Sequence, residues 1–186
     1  MTVGVAQLLE RLRGGDESAL HELVAALYDE LHRIAARQLR GERPSHTLQA
    51  TALIHEAYLK LIGENQRGFA DRVHFLAVAS RVMRQVLVDY ARARATKKRD
   101  GAATVVLTAS ADVGGKAAAE QIELLDLDNA LEALAQEDRS LAELIEMRFF
   151  GGMTAEETAQ ALGQSVHVVR HDLRLGQAWL RRRLSR

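Results

Sequence analysis

The sequence predicts an all-α protein of two small helical domains joined by a flexible linker, with divisions at 1–95, 96–120 and 121–186. Three observations carry that expectation. The 186 residues hold a single proline and few aromatics, while Ala, Leu, Arg and Glu abound, a composition of helix formers with no rival strand pattern. Apolar residues recur at helical spacing along most of the chain. The exception is 96–120, where D-G-A-A-T-V-V-L-T-A-S-A-D-V-G-G-K-A-A-A replaces any sustained stripe with small residues and glycines.

The elements follow in order. A first helix is expected over Val3–Arg13, stopped by Gly14-Gly15, with Asp16 or Ser18 capping the next. That second helix is read as one long element whose buried stripe is Leu20, Leu23, Val24, Leu27, Leu31, Ile34 and Ala35, ending at Gly41 and Pro44. A third runs from Gln49 to Ile62 with Leu53, Ile54, Ala57 and Leu61 inward. After the polar loop Gly63–Ala70, Asp71 caps a fourth helix to Ala95, with Phe75, Val78, Val82, Val86 and Tyr90 facing the core. At ~3.3 Å per residue, the roughly 24-residue linker that follows spans at most about 80 Å. Val105-Val106-Leu107 is the one part of it apolar enough to pack on a domain instead. The second domain is expected as helices at 122–136, 139–150, 154–162 and 166–184.

Within that domain, Thr154 and Glu157 make a capping-box pattern, Gly163 falls at a sharp turn, and Ser165 caps the last helix. Val166, Val169, Leu173 and Leu180 form its apolar stripe, and His167, Arg170, His171 and Arg174 lie opposite. The arrangement reads as a helix-turn-helix, whose second helix presents the start of its polar face to base edges in the major groove. An ordinary helical hairpin with a solvated basic face has the same pattern, so the rest of the chain must decide.

Formal net charge is zero, yet the charges are segregated. From Arg72 to Arg99 eight basic residues face Asp89 alone, and Arg181, Arg182, Arg183 and Arg186 close the chain. Between these zones, Glu120 to Glu146 carries nine acids against Arg139. Both basic zones suit nucleic acid. Zero cysteines exclude a disulfide framework and a thiolate zinc site. His55-Glu56 and His21-Glu22 lack the second histidine of a zinc helix, since Leu59 and Ala25 stand there, so no metal is expected. No phosphate-binding glycine loop exists, and no catalytic residues or cofactor are assigned. The absence of a membrane-length apolar run and of a secretion signal leads us to expect a cytoplasmic protein.

With both domains placed, the chain resembles the extracytoplasmic-function class of bacterial RNA polymerase sigma factors over essentially its whole length. L-I-H-E-A-Y-L-K-L at 53–61 is similar to that family's polymerase-binding helix. H-F-L-A-V-A-S-R-V-M-R-Q-V-L-V-D-Y-A-R-A-R at 74–94 is similar to its −10 promoter helix. The C-terminal motif, including Ala178-Trp179-Leu180, resembles its −35 reader, although Val168, Leu173 and Gly176 depart from residues common in relatives. The resemblance implies a non-enzymatic protein held on core RNA polymerase while it grips promoter DNA at two sites. The implied polymerase contacts are Gln49, Thr51, Ala52, His55, Glu56, Tyr58 and Leu59. For the −10 element they are Asn65, Gln66, Arg67 and Phe69 as base-capturing residues, with Arg72, His74, Arg81, Arg84, Arg92 and Arg94 on phosphates or base edges. The −35 set is Ser165, His167, Arg170, His171 and Arg174. Tyr58 and Trp179 are read as half-buried anchors.

One departure is informative. Many relatives carry an acidic run where this chain has Gln49-Ala50-Thr51-Ala52. Losing those charges weakens complementarity to a basic polymerase surface. Thr51 occupies one of the acid positions in a first helical turn, where phosphorylation by a Ser/Thr kinase would restore negative charge, in place of release from an anti-sigma factor. The opposing reading makes Thr51 a tolerated β-branched residue. Two other functions compete with the sigma reading: a stand-alone helix-turn-helix regulator, which leaves the 53–61 motif unexplained, and an adaptor using the acidic block, which needs neither basic zone.

Overall fold

The computed structural model describes residues 4–40, 49–63, 68–97, 104–107 and 120–185. Five helices form the N-terminal group: α1 (Val5–Arg13), α2 (Ser18–Ala26), α3 (Tyr28–Gln38), α4 (Ala50–Gly63) and α5 (Arg72–Lys97). The C-terminal group holds α6 (Leu124–Glu137), α7 (Arg139–Ile145) continued by a π-helical turn (Glu146–Phe150), α8 (Ala155–Leu162) and α9 (Val166–Leu184). The all-α expectation is met, with one addition. β1 (Thr104–Leu107), inside the expected linker, pairs antiparallel with β2 (Glu120–Glu123), which takes the first residues of the helix expected at 122–136; Thr104 faces Glu123 and Leu107 faces Glu120, and α6 starts only at Leu124. The three apolar residues at 105–107 thus lie on a strand, and α5 runs two residues past the expected boundary.

The expected long second helix is two helices. Leu27 leaves helical geometry at φ −108° and ψ 15°, so α2 ends and α3 restarts at Tyr28. Leu27 stays buried and its carbonyl accepts from both Glu30 and Leu31. The apolar stripe therefore continues in register across the break, which is why periodicity alone does not reveal it. On α5, Phe75, Val82 and Val86 are buried as expected, whereas Tyr90 is 41% exposed. The stripe drifts off the buried face toward the end of this long helix.

Caps fix the remaining ends. Asp71 accepts from the His74 backbone N–H at 2.8 Å and starts α5, and Asp138 does the same for Leu141 at 2.9 Å on α7. Thr154 and Glu157 complete a reciprocal capping box at 3.1 and 2.8 Å. Gly163 turns the chain at φ 63° before Ser165 caps α9. Within the N-terminal group, buried Gln38 ties α3 to α5 by donating to the Ser80 carbonyl at 3.0 Å and hydroxyl at 3.1 Å.

The two groups share a continuous apolar core. The seam lies along α5, which meets α6, the π turn and α8, with α3 touching the π turn as well. The π turn is set by two glycines. A Cβ at Gly151 would meet the Met147 carbonyl at 2.5 Å, and Gly152 sits at φ 66° beneath the Arg37 guanidinium.

Candidate nucleic-acid interface

The segment expected to meet polymerase is an open helix face. In α4, Leu53, Ile54, Ala57 and Leu61 turn into the core, leaving Thr51, His55, Glu56 and Leu59 exposed, with Leu59 at 52% and Ile62 at 49%. Tyr58 is half-buried, in ring contact with His21 and His55. Gln49 is exposed and its carbonyl accepts the Leu53 N–H at 3.0 Å, while Ala52 is half-buried. Thr51 is the second residue of the helix, and no acid stands in its first turn. Its hydroxyl lies 3.3 Å from the Tyr28 hydroxyl.

The expected −10 set divides sharply. Asn65, Gln66 and Arg67 lie outside the described residues, as does the side chain of Arg94. Phe69 was expected to capture a base, but its ring is 4% exposed and packs edge-on against Phe75 with centroids 4.9 Å apart. An aromatic just before a helix has gone to the core because Phe75, one turn inside α5, offers it a partner. Arg72 pairs with Glu30 at 2.9 Å. His74 is half-buried, its Nδ1 accepting the Ala70 N–H at 3.0 Å. Arg81 is half-buried in the seam, lining grooves of about 200 and 260 Å³ on its two sides.

Arg84, expected on the DNA surface, is 6% exposed. Its Nη1 donates to Asp128 of α6, its Nη2 donates to Glu146 of the π turn at 2.5 Å, and its guanidinium lies 5.6 Å from the centre of the Phe150 ring. Arg92, about two turns on, remains half in solvent yet donates to the other Asp128 oxygen at 3.1 Å. Sequence reasoning registered the acidic block but not these partners, because contacts between distant segments leave no periodic signal.

The expected −35 face is open. His167, Arg170, His171 and Arg174 are all exposed on α9, while Val169, Leu173 and Leu180 are buried beneath them and Val166 is half-buried. Arg170 pairs with Glu156 at 3.0 Å across the turn, which is a solvent-screened contact, and His171 Nδ1 lies 2.9 Å from Asp172. Ser165 is engaged as the cap, accepting from Val168 N–H at 3.3 Å. Trp179 is half-buried, and its indole N–H donates to Glu137 at 2.9 Å. A separate basic cluster lies where α3 meets the π turn: burial, reinforced by Arg40, Arg148 and Arg33, holds the Arg37 pKa below its ordinary value.

Among the described residues no helix is long and apolar enough to cross a membrane. A family model described as ECF sigma factor matches residues 2–186, nearly the entire chain. No curated protein matches it.

Proposed function

The chain belongs to the ECF sigma factor family, and on that premise we propose that it is an alternative sigma factor whose attachment to polymerase is switched on by phosphorylation of Thr51. Members of this family bind core RNA polymerase and promoter DNA and direct initiation without catalysing it themselves. In this chain the exposed side of α4, with Gln49, Thr51, His55, Glu56 and Leu59, is the docking face for polymerase. The −10 set lies on and before α5, and the polar face of α9 reads the −35 element. The observation that carries the assignment is the family match over both helical groups, joined to an α9 whose arginines and histidines stand exposed above a buried apolar stripe.

The switch rests on local chemistry. Thr51 is exposed in the first turn of α4, where the helix dipole favours negative charge and the sequence supplies none. A phosphate would add about −1.5 to −2 charges there. The Tyr28 hydroxyl, 3.3 Å from Thr51 Oγ1, is positioned to donate to it. Added charge raises complementarity to a basic polymerase surface and speeds association.

Reconstitution with core polymerase tests both statements. Unmodified protein and Thr51→Ala are expected to bind weakly and give little run-off transcript, whereas Thr51→Glu or kinase-treated protein binds roughly ten-fold more tightly, about 1.4 kcal/mol. Equal, full activity of all forms removes the switch and leaves the sigma assignment standing. No promoter-dependent initiation in any form removes the assignment itself.

A further inference from the structure

The sequence sets a basic block at 72–99 against an acidic block at 120–146, and in the fold α5 meets α6 and the π turn along one seam. Arg84 is buried there between Asp128 and Glu146, with the Phe150 ring beside it, and Arg92 reaches Asp128 from the next part of α5. These two arginines are half of the four on α5 whose side chains are described, and both belong to the surface expected to hold promoter DNA. The −35 face on α9 and the exposed side of α4 are not covered in this way.

We infer that Asp128 and Glu146 form an internal counter-charge latch, taking on Arg84 and Arg92 the places of nucleic-acid phosphates, so that the −10 helix engages promoter DNA only after the two helical groups separate. The inference rests on the sigma reading for the identity of the nucleic acid. Carboxylates and phosphates present the same anionic oxygens to a guanidinium, and Arg84 cannot serve both at once.

The contact has the marks of a reversible joint. Grooves of about 200 and 260 Å³ flank the Arg84–Glu146 pair, so apolar packing on either side is incomplete. Arg92 is 53% exposed at its side chain, and Arg84 Nε has no acceptor among the described residues. A charge pair that is mostly buried but only partly satisfied gives orientation rather than large net affinity. Trading Asp128 and Glu146 for phosphates exchanges one set of anionic oxygens for another at the guanidinium, and polymerase binding must supply the cost of parting the apolar seam.

The chain has no cysteine, so single labels can be placed cleanly. Spin labels at Gln7→Cys on α1 and Gln160→Cys on α8, both at exposed positions, report the separation of the two groups. The unaltered latch is expected to give one narrow distance distribution. Asp128→Asn, and more fully Asp128→Asn with Glu146→Gln, broaden it toward longer distances. Asp126→Asn removes the same charge from an exposed site on α6 and leaves it unchanged. In parallel, a short fluorescent single-stranded oligonucleotide of mixed sequence should bind the double variant roughly ten-fold more tightly than the parent or Asp126→Asn, the scale of freeing charge-assisted contacts.

Circular dichroism follows helix content. Should the double variant lose helicity, Asp128→Asn alone, which keeps Glu146 on Arg84, carries the same comparison. Unchanged distances, or opening with no gain in oligonucleotide binding, overturns the latch. Neither readout uses polymerase or a promoter, so a failed run-off assay would sink the sigma reading without touching this result.

Discussion

Two glycines and one carboxylate show how single residues set this structure. Gly152 holds φ at 66° with the Arg37 guanidinium directly over it, so Gly152→Ala meets both a backbone and a steric penalty. Urea unfolding should show a loss of about 1–2 kcal/mol, more than at Gly163, where φ is 63° but the space around it is open. There Gly163→Asn should recover most of what Gly163→Ala loses, because asparagine tolerates the left-handed region. At Asp16, the Ser18 hydroxyl and then the Arg11 guanidinium hold the carboxyl below its ordinary pKa. A lowered folded-state pKa makes the contribution complete above the ordinary carboxylate range and removes it as pH falls through the lowered value. An NMR titration should place Asp16 below a typical aspartate, and Ser18→Ala should move it back up. Gly152 does not announce itself in the sequence, since its constraint comes from the Arg37 side chain that folding brings alongside, whereas Asp16 and Ser18 already stand together in the chain.

Helix starts were legible because caps are local chemistry. Asp71, Thr154 with Glu157, and Ser165 all cap where their side chains and spacing predicted. Thr154→Ala and Ser165→Ala should each cost about 1 kcal/mol in thermal unfolding. Thr154→Ala keeps the backbone N–H that donates to the Glu157 carboxylate, so the capping box loses one of its two bonds rather than both. What the sequence hid were departures that preserve periodicity or arise from distant pairing. The Leu27 break keeps its stripe, the π turn adds one residue to a helix already apolar on one side, and β1 finds β2 across residues 108–119. The site followed the same division. The faces of α4 and α9 could be read from their helical stripes, whereas the burial of Phe69 and Arg84 depends on Phe75, Asp128 and Glu146. On α9, Arg174→Ala should weaken promoter-specific binding by about 1–3 kcal/mol and relax base preference at one position, as a selection from randomised −35 sequences would reveal.

At the scale of the whole molecule, a net charge of zero hides opposed blocks, and Arg84 and Arg92 of the basic one meet Asp128 and Glu146 of the acidic one across the seam. Raising salt should loosen the exposed Lys60–Asp89 pair before the buried Arg84–Asp128 pair, because water and ions screen the first far more. The strand pair bears on how far the two helical groups can part. While β1 and β2 stay zipped, Thr104 is held opposite Glu123, next to the first residue of α6. Six residues, 98–103, then separate the end of α5 from that clasp, a stretch that can span at most about 20 Å at ~3.3 Å per residue. A two-stranded ladder is marginal in water, so this shortening is easily undone. The protein thus carries a reefed line with two lengths. Initiation from a series of promoters with graded spacers should favour a narrow set when the line is short, and Val106→Pro, by letting it out, should widen that tolerance.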